Sequence, residues 1–283
     1  MPETAIDPES PSRAAVGYAA TPASLAVPRA PTTLQSAPAL MPAIDLDRAN
    51  AQLGTAAAED TIRWALDAFG ERLVMSSSFG AHSALMLHMV QEVAPQMPVV
   101  LVDTGYLFPE TYQFIEQMQA RFGFRLEVFS ASMSAARQEA LYGRLWEQGT
   151  EGVERYLWLN KVEPMQRALQ TLGVQAWIAG LRRDQSEHRR TLRRIDMQDG
   201  RIKVHPILEW SLQDIEAYLE RHKLPFHPLC AQGYRSIGDW HSTLPTVEGQ
   251  DPREGRILGQ SQECGIHLNL SQAQADSLKS SGL

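Results

Sequence analysis

The sequence predicts an α/β fold, a mostly parallel sheet with helices on both faces. After Asp45, short strand-like runs alternate with longer helix-like ones, the pattern that βαβ units produce. The run from Pro98 to Val102 is continuously apolar and β-rich, as expected of a strand covered on both faces. The segments richest in hydroxyl, glycine and arginine residues fall directly after strands, where sheets of this class hold ligands.

Taken in order, Ala56 to Phe69 has helical periodicity and an acidic start. Leu73 to Ser76 is a short strand, and the turn after it leads into a helix from Ala84 to Val93. Pro98 to Val102 is the second strand. Pro109 suits a first helical position, and the helix continues from Glu110 to Phe122. Arg125 to Phe129 is the third strand. Ala135 to Leu145 and Val162 to Leu172 read as helices, Ala176 to Ala179 and Lys203 to Leu208 as strands. Ser211 caps a last helix that runs to His222.

A chain of 283 residues with 43% apolar content can bury the core of one large domain. Its net charge of −7 disfavours general binding to nucleic acid or to acidic membranes, and no apolar run approaches membrane-spanning length. Two cysteines cannot build a disulfide framework, which points to a reducing compartment and a cytoplasmic location. They are also too few to ligate a cubane iron–sulfur cluster with thiolates alone. Met1 to Pro42 is rich in Ala, Pro, Ser and Thr, with Arg13 and Arg29 as its basic residues. Such a stretch buries too little apolar surface to offset its ordering entropy, so residues 1–45 are expected to be a disordered extension.

Four segments carry candidate chemistry. Ser76, Ser77, Ser78 and Gly80 lie between a strand and a helix, where hydroxyls and backbone N–H groups make an anion site; a plain capping turn explains them equally well. Asp103 and Thr104 end the second strand, and Gly105 permits a tight turn beside a ligand, although a helix cap before Pro109 accounts for part of this pattern. Leu181 to Arg194 packs six arginines into fourteen residues of an acidic protein, and its start, Arg182 and Arg183, follows a strand. Arginine suits bidentate recognition of phosphate or sulfate, while a solvated face is the ordinary use of such a run. Lys161, Arg253 and Arg256 are scattered cations, each by itself ordinary surface charge.

Cys264 lies in Glu263-Cys264-Gly265-Ile266-His267, within a polar, loop-like tail where no core needs a small hydrophobe. Neighbouring cations, with His267 three residues on, would favour its thiolate and mark a nucleophile on a mobile segment. Cys230 in His-Pro-Leu-Cys reads as structural, since a Cys–His pair with His227 lacks further metal ligands. His241 reads as a hydrogen-bonded loop histidine.

The motifs S-S-S-F-G, V-D-T-G-Y-L-F-P-E-T-Y, N-K-V-E-P-M, G-L-R-R-D-Q-S, H-P-L…Q-G-Y-R-S-I-G-D-W-H-S-T and E-C-G-I-H occur in this order. Together, over about Ala56 to His267, they resemble the phosphoadenylyl-sulfate (PAPS) reductases of assimilatory sulfate reduction. The resemblance implies an adenine-nucleotide α-hydrolase-like (PP-loop) fold. It divides the chain into an extension (1–45), a nucleotide-binding domain (46–245) and a flexible tail with the catalytic cysteine (246–283). Related adenylyl-sulfate (APS) reductases hold an iron–sulfur cluster with a Cys-Cys pair and a later Cys-x-x-Cys. Here Tyr156-Leu157 and Gly238-Asp239-Trp240-His241 stand at those places. The resemblance therefore implies the cluster-free, PAPS-using class, with no bound cofactor.

By the same resemblance, Cys264 attacks the sulfur of PAPS and forms an S-sulfocysteine, which thioredoxin or glutaredoxin reduces to sulfite. Lys161, Arg253, Arg256 and His267 would contact the phosphosulfate. Ser76, Ser77, Ser78, Gly80 and Asp103 would form the nucleotide pocket, with Arg182 or Arg183 nearby. A homodimer is implied. The alternatives are an APS-preferring reductase without a cluster, an ATP-consuming enzyme of the same fold, and a non-catalytic nucleotide sensor. Phe79 and Ala81-His82 in place of an S-G-G-x-D-S loop argue against ATP cleavage, and a sensor has no use for a thiolate.

Overall fold

The computed structural model describes residues 43–247 together with 255, 256 and 266. Residues 1–42, and with them the extension expected from composition, lie outside the described part. So do most of the expected tail and its residues Arg253, Cys264 and His267.

Six strands form one sheet in the order β3-β2-β1-β4-β6-β5. They are β1 (Leu73–Ser76), β2 (Val99–Asp103), β3 (Leu126–Ser130), β4 (Ala176–Ala179), β5 (Ile195–Gln198) and β6 (Arg201–Val204). All neighbours are parallel except β5 and β6, which form an antiparallel hairpin at one edge. The central register pairs Met75 with Val99 on one side and with Ile178 on the other. The chain steps outward from β1 to β2 and β3, then returns to place β4 on the other flank of β1. The carboxyl ends of β1 and β4 thus frame a topological switch point, where open α/β sheets bind ligands.

Because side chains alternate along a strand, the sheet presents two apolar faces. On one face Leu73, Met75, Val99, Ile178 and Val204 join helices α2 (Ala58–Phe69), α3 (Ser83–Val93), α4 (Pro109–Phe122) and α8 (Leu212–Arg221). Ile62, Leu85, Phe114 and Leu219 are the fully buried contributions of these helices, each worth about 1.5–3 kcal/mol of transfer free energy. On the other face Val74, Val100 and Trp177 pack against Met165, Ala168 and Leu169 of α7 (Glu163–Thr171). Ile266 packs on this second face as well.

The helix ends follow local chemistry. Ser211 and Asp214 form a reciprocal capping box at α8, and Gly123 ends α4 in the left-handed region at φ 70°. The helix expected to run to Leu145 is α5 (Ala135–Tyr142), stopped at Gly143. Three elements go beyond the sequence reading. Helix α1 (Leu46–Leu53) is capped by Asp45, whose carboxylate accepts from Arg48 N–H at 3.0 Å. Helix α6 (Gly149–Leu157) continues into α7 through a π-helical turn, Trp158–Val162. Pro164 lacks the N–H that would have bonded the carbonyl of Asn160, which accounts for a widened turn here. The strand expected at Lys203 to Leu208 is instead β6, which ends at Val204 before Pro206 and pairs with β5 through the Asp199-Gly200 turn. Both turn residues have positive φ, 51° and 72°, as a tight hairpin requires.

Candidate active site

At the carboxyl ends of β1, β2 and β4 four loops surround a cavity of about 260 Å³. The first is the turn after β1. Ser76, Ser77, Ser78 and Gly80 line the cavity, and α3 begins at Ser83 beyond them. Ser77 Oγ accepts from Phe79 N–H at 3.1 Å, and Ser83 Oγ donates to the Gly80 carbonyl at 2.9 Å. Phe79 has φ 49°, unusual for a bulky residue, and is fully buried against Phe124. Burial of the ring holds the backbone in a bend that a glycine would ordinarily make.

The second loop follows β2. Val102 and Thr104 face the cavity, so by strand alternation Asp103 does not. The Asp103 carboxylate accepts from Gly105 N–H and from the Tyr112 hydroxyl, both at 2.8 Å. Asp103 thus shapes the turn, and Thr104 takes the wall position.

The third loop follows β4. Arg182 and Arg189 reach the cavity. Arg182 is buried, its Nε lies 3.3 Å from Asp184 Oδ1, and its Nη1 is buried with no hydrogen-bond partner among the described residues. Gln185 Oε1 accepts from the Arg182 N–H at 3.0 Å and from the Arg189 guanidinium. Arg183 turns away, with Nη1 2.6 Å from Glu209 Oε1 and Nη2 donating to the Leu192 carbonyl at 2.9 Å. Of the two arginines left open by the sequence, Arg182 is the one at the cavity.

The fourth loop carries Arg235, Gly238 and Asp239. Asp239 is fully buried and accepts from Thr104 Oγ1 at 2.7 Å and from the Tyr156 hydroxyl at 2.9 Å. Its Oδ2 also lies 2.6 Å from Lys161 Nζ. Burial pushes the Asp239 carboxyl up, but the Lys161 charge and these hydrogen bonds outweigh it and hold the group below its ordinary range. Burial and the adjacent carboxylate raise Tyr156 well above a normal phenol, so it stays a donor. Lys161 stands in the π-helical turn, and a reciprocal amide pair between Asn160 and Gln138, at 2.8 and 3.0 Å, fixes that turn to α5. The loop is further tied to the β2 loop by Trp240 N–H donating to the Tyr106 carbonyl at 2.9 Å.

Arg256 completes the wall. Its strand-like bridge to Thr243 and the Leu244 N–H to Gly255 carbonyl bond, 2.8 Å, hold it there. Its guanidinium packs on Gly238, where a Cβ would meet its central carbon at 2.6 Å. The walls therefore bring Lys161, Arg182, Arg189, Arg235 and Arg256 around one cavity of an acidic protein, and Asp239, already ion-paired, is the acid among the lining residues. Such a surface suits a multiply charged anion at a helix N-terminus. Ile266, two residues beyond Cys264, also lines it.

Arg189, Arg235 and Asp239 are wall residues beyond the sequence reading of the site, whereas Thr104 stands in one of its candidate segments. Arg235 and Asp239 stand in the quoted G-Y-R-S-I-G-D-W block, and Arg189 in the arginine run, so the segments but not the positions were readable. The two residues set aside earlier also have definite environments. Cys230 Sγ donates to the Ala81 carbonyl at 3.8 Å, and burial pushes its thiol up to about 11. His227 bonds Thr111 Oγ1 at 3.0 Å and accepts from Leu229 N–H at 3.2 Å, so both ring nitrogens serve the fold. His241 differs from expectation. Neither ring nitrogen has a hydrogen-bond partner among the described residues, and the ring stacks on Trp146 with centroids 3.9 Å apart at 8°. Burial lowers it to about 4.

The phosphoadenosine phosphosulfate reductase domain family matches residues 72–245. A phosphoadenosine 5′-phosphosulfate reductase of Alkalilimnicola ehrlichii is 51% identical over 230 residues, 81% of this chain and 94% of that protein. One from Synechocystis is 48% identical over 242 residues, 85% of this chain and 97% of its own length. Among solved structures, a PAPS reductase from Candida auris in a phosphate complex has a TM-score of 0.63 at 30% identity. That match covers 70% of this chain and 96% of that one. An FMN adenylyltransferase of Candida glabrata shares the fold, with a TM-score of 0.51 at 17% identity over 84% of this chain and 86% of its own.

Proposed function

The chain belongs to the phosphoadenosine phosphosulfate reductase family, and we propose that it reduces 3′-phosphoadenylyl sulfate to sulfite with electrons from a thioredoxin or glutaredoxin. The observation that carries the reading is the cavity at the switch point, ringed by Lys161, Arg182, Arg189, Arg235 and Arg256, with Ile266 in its wall. The cations suit a phosphosulfate nucleotide, and Ile266, two positions after Cys264 in the sequence, lines the same cavity.

In this mechanism the Cys264 thiolate attacks the sulfonate sulfur. An S–S bond forms as the S–O bond to the nucleotide phosphate breaks, and adenosine 3′,5′-bisphosphate leaves with the bond's electron pair. Lys161, Arg253, Arg256 and His267 stabilise the charge that builds on the departing phosphate. Ser76, Ser77, Ser78 and Gly80 offer donors to the nucleotide, with Arg182 beside them. A partner thiolate then attacks the Cys264 sulfur and expels sulfite. Its second thiol resolves the mixed disulfide, so the dithiol supplies two electrons and leaves oxidised. The tail closes over the nucleotide for the first step and opens for the second. The setting is assimilatory sulfate reduction in a reducing, cytoplasmic compartment, by a homodimer.

The donor set at the places where APS reductases carry cysteines does not fit an iron–sulfur cluster. Tyr156 and Asp239 meet there through a hydrogen bond, and Lys161 claims the same carboxylate. A hydroxyl and an ion-paired carboxylate do not replace thiolates. This supports the cluster-free reading.

The deciding experiment incubates the reduced protein with PAPS and no thiol partner. A mass gain of about 80 Da on the Cys264 peptide is expected, the trapped sulfonate. No adduct, or one on Cys230, overturns the mechanism. Turnover of PAPS and APS side by side with thioredoxin then fixes the substrate.

A further inference from the structure

His82 lines the cavity, and neither the fold nor the chemistry above uses the polarity of its imidazole. It stands at the N-cap position of α3 but makes no side-chain capping bond. Ser83 closes that turn instead, with its N–H and its Oγ donating to the Gly80 carbonyl at 3.1 and 2.9 Å. The half-buried ring packs edge-on against Phe226, centroids 6.0 Å apart, which sets its orientation. Neither ring nitrogen is hydrogen-bonded among the described residues.

The neighbour that matters is Arg182. Its side chain lines the cavity, the residue is 8% exposed, and its Nη1 is buried without a hydrogen-bond partner among the described residues. A guanidinium nitrogen in that state, beside a helix N-terminus, calls for an anion. Burial first and the Arg182 charge second lower His82 to about 4, so its ring is neutral at neutral pH. The first turn of α3 adds no acid, while Arg182 itself faces Asp184 and Arg189 on its own loop and Glu216 on α8.

Sheet order separates this corner from the other cations. Lys161 is tied through Asp239 to Thr104, which follows β2, whereas Arg182 follows β4, and β1 lies between the two strands. Two strand spacings place the flanks about 10 Å apart. A 3′-phosphorylated adenylyl sulfate carries two anionic groups, and the reaction assigns the phosphosulfate to the Lys161 and Arg256 flank.

We propose that His82, with Arg182, forms the subsite that reads the 3′-phosphate of the nucleotide. The inference rests on the reading of the substrate as a 3′-phosphorylated nucleotide and names the residue that selects it. His82 starts neutral. A phosphate dianion arriving beside it favours the protonated ring, so the imidazole takes a proton from solvent as the nucleotide binds and returns it when the product leaves. Because binding raises the proton affinity of the ring, the contribution of His82 to affinity grows as pH falls. His82 acts on binding and selection and takes no part in sulfur transfer.

The test is calorimetric titration of the full chain with adenosine 3′,5′-bisphosphate and with adenosine 5′-monophosphate. It compares the parent, His82→Gln, which keeps a neutral donor, and His82→Ala, which keeps none. At about pH 6 both variants are expected to lose about tenfold in affinity for the bisphosphate, the worth of a hydrogen bond to a charged group. Both should bind the monophosphate as the parent does. From about pH 8 to about pH 6 the parent's lead over His82→Gln should widen about threefold, since the amide cannot take up the proton. Equal losses for both nucleotides, or no loss for either, overturn the 3′-phosphate subsite. A lead that stays constant with pH overturns the proton uptake. A parent that binds the two nucleotides alike contradicts the substrate reading itself, whereas variants that still discriminate as the parent does contradict the part of His82 alone.

Discussion

Lys161 Nζ and Asp239 Oδ2 lie 2.6 Å apart, both side chains buried, where the π-helical turn meets the fourth loop of the cavity. Thr104 and Tyr156 donate to the same carboxylate. A buried pair of this kind gains little over an apolar one, but it fixes where its charges stand. Here it holds an ammonium at the wall of an anion cavity. Asp239 is therefore the residue through which the β2 loop, the π-helical turn and the fourth loop agree on one position for Lys161.

Lys161→Met is expected to cost about 3–5 kcal/mol of stability, because Asp239 is left buried without its counter-charge. Combining it with Asp239→Asn recovers most of that loss. Turnover does not recover and stays about a hundredfold to a thousandfold down, since the charge near the leaving group is gone. Urea unfolding and steady-state rates on the singles and the double variant check this. Restored turnover in the double variant would assign Lys161 a purely structural role.

Acid should destabilise the fold in two stages. Burial is the leading cause that lowers His82, His205, His227 and His241 from 6.5 to about 4. Each favours folding above its unfolded value of 6.5, and that contribution is lost as pH falls toward about 4. The depressed Asp239 carboxyl acts lower. Its contribution is complete above the ordinary carboxylate value of about 3.9 and is lost as pH falls through its folded value. Asp239→Asn removes the second stage and leaves the first. Unfolding midpoints from about pH 7 to about pH 3 resolve the two; an unaltered acid limb in the variant contradicts the assignment.

Gly238→Ala should act through Arg256. The new methyl needs the space of the guanidinium, which is the far end of a flexible side chain and can swing away. The melting temperature should hardly move, while nucleotide affinity falls about tenfold to a hundredfold, the worth of a charged hydrogen bond. Calorimetric titration with adenosine 3′,5′-bisphosphate, set beside Arg256→Ala, reads it. Full affinity in Gly238→Ala excludes the guanidinium from the nucleotide site.

The elements that position the cavity were readable because their signals are local. Apolar runs gave β1, β2 and β4, and hydroxyls after β1 or arginines after β4 marked the loops. Asp239 was opaque for the opposite reason. Its meaning comes from Thr104, 135 residues away, and from Tyr156, 83 residues away, and one carboxylate in G-D-W-H carries no trace of them. Arg182 and Arg183 differ in what faces them, Leu192 and Glu209 for the latter, which adjacency in sequence does not separate. Strand β5, with its sequence Ile-Asp-Met-Gln, lies at an edge and mixes buried, half-buried and exposed positions, so it lacks the apolar run that revealed the central strands. Its turn signal, Asp199-Gly200, is local and stands in the sequence.

The two cysteines should differ sharply in reactivity. Only a thiolate attacks an alkylating agent, and burial pushes Cys230 up to about 11, so at neutral pH it is almost wholly protonated. Its Sγ is also engaged with the Ala81 carbonyl. Cys264, flanked in sequence by Glu263 and Gly265 and followed by His267, has no such expectation of burial. Iodoacetamide applied to the native, reduced protein should label Cys264 first, by at least about a hundredfold, with Cys230 following only on unfolding. Peptide mass mapping over a time course reads both sites at once. Prior labelling with PAPS should protect Cys264 and leave Cys230 as it was. Faster modification of Cys230 would exchange the roles of the two thiols and place the nucleophile beside His227 instead of on the E-C-G-I-H segment.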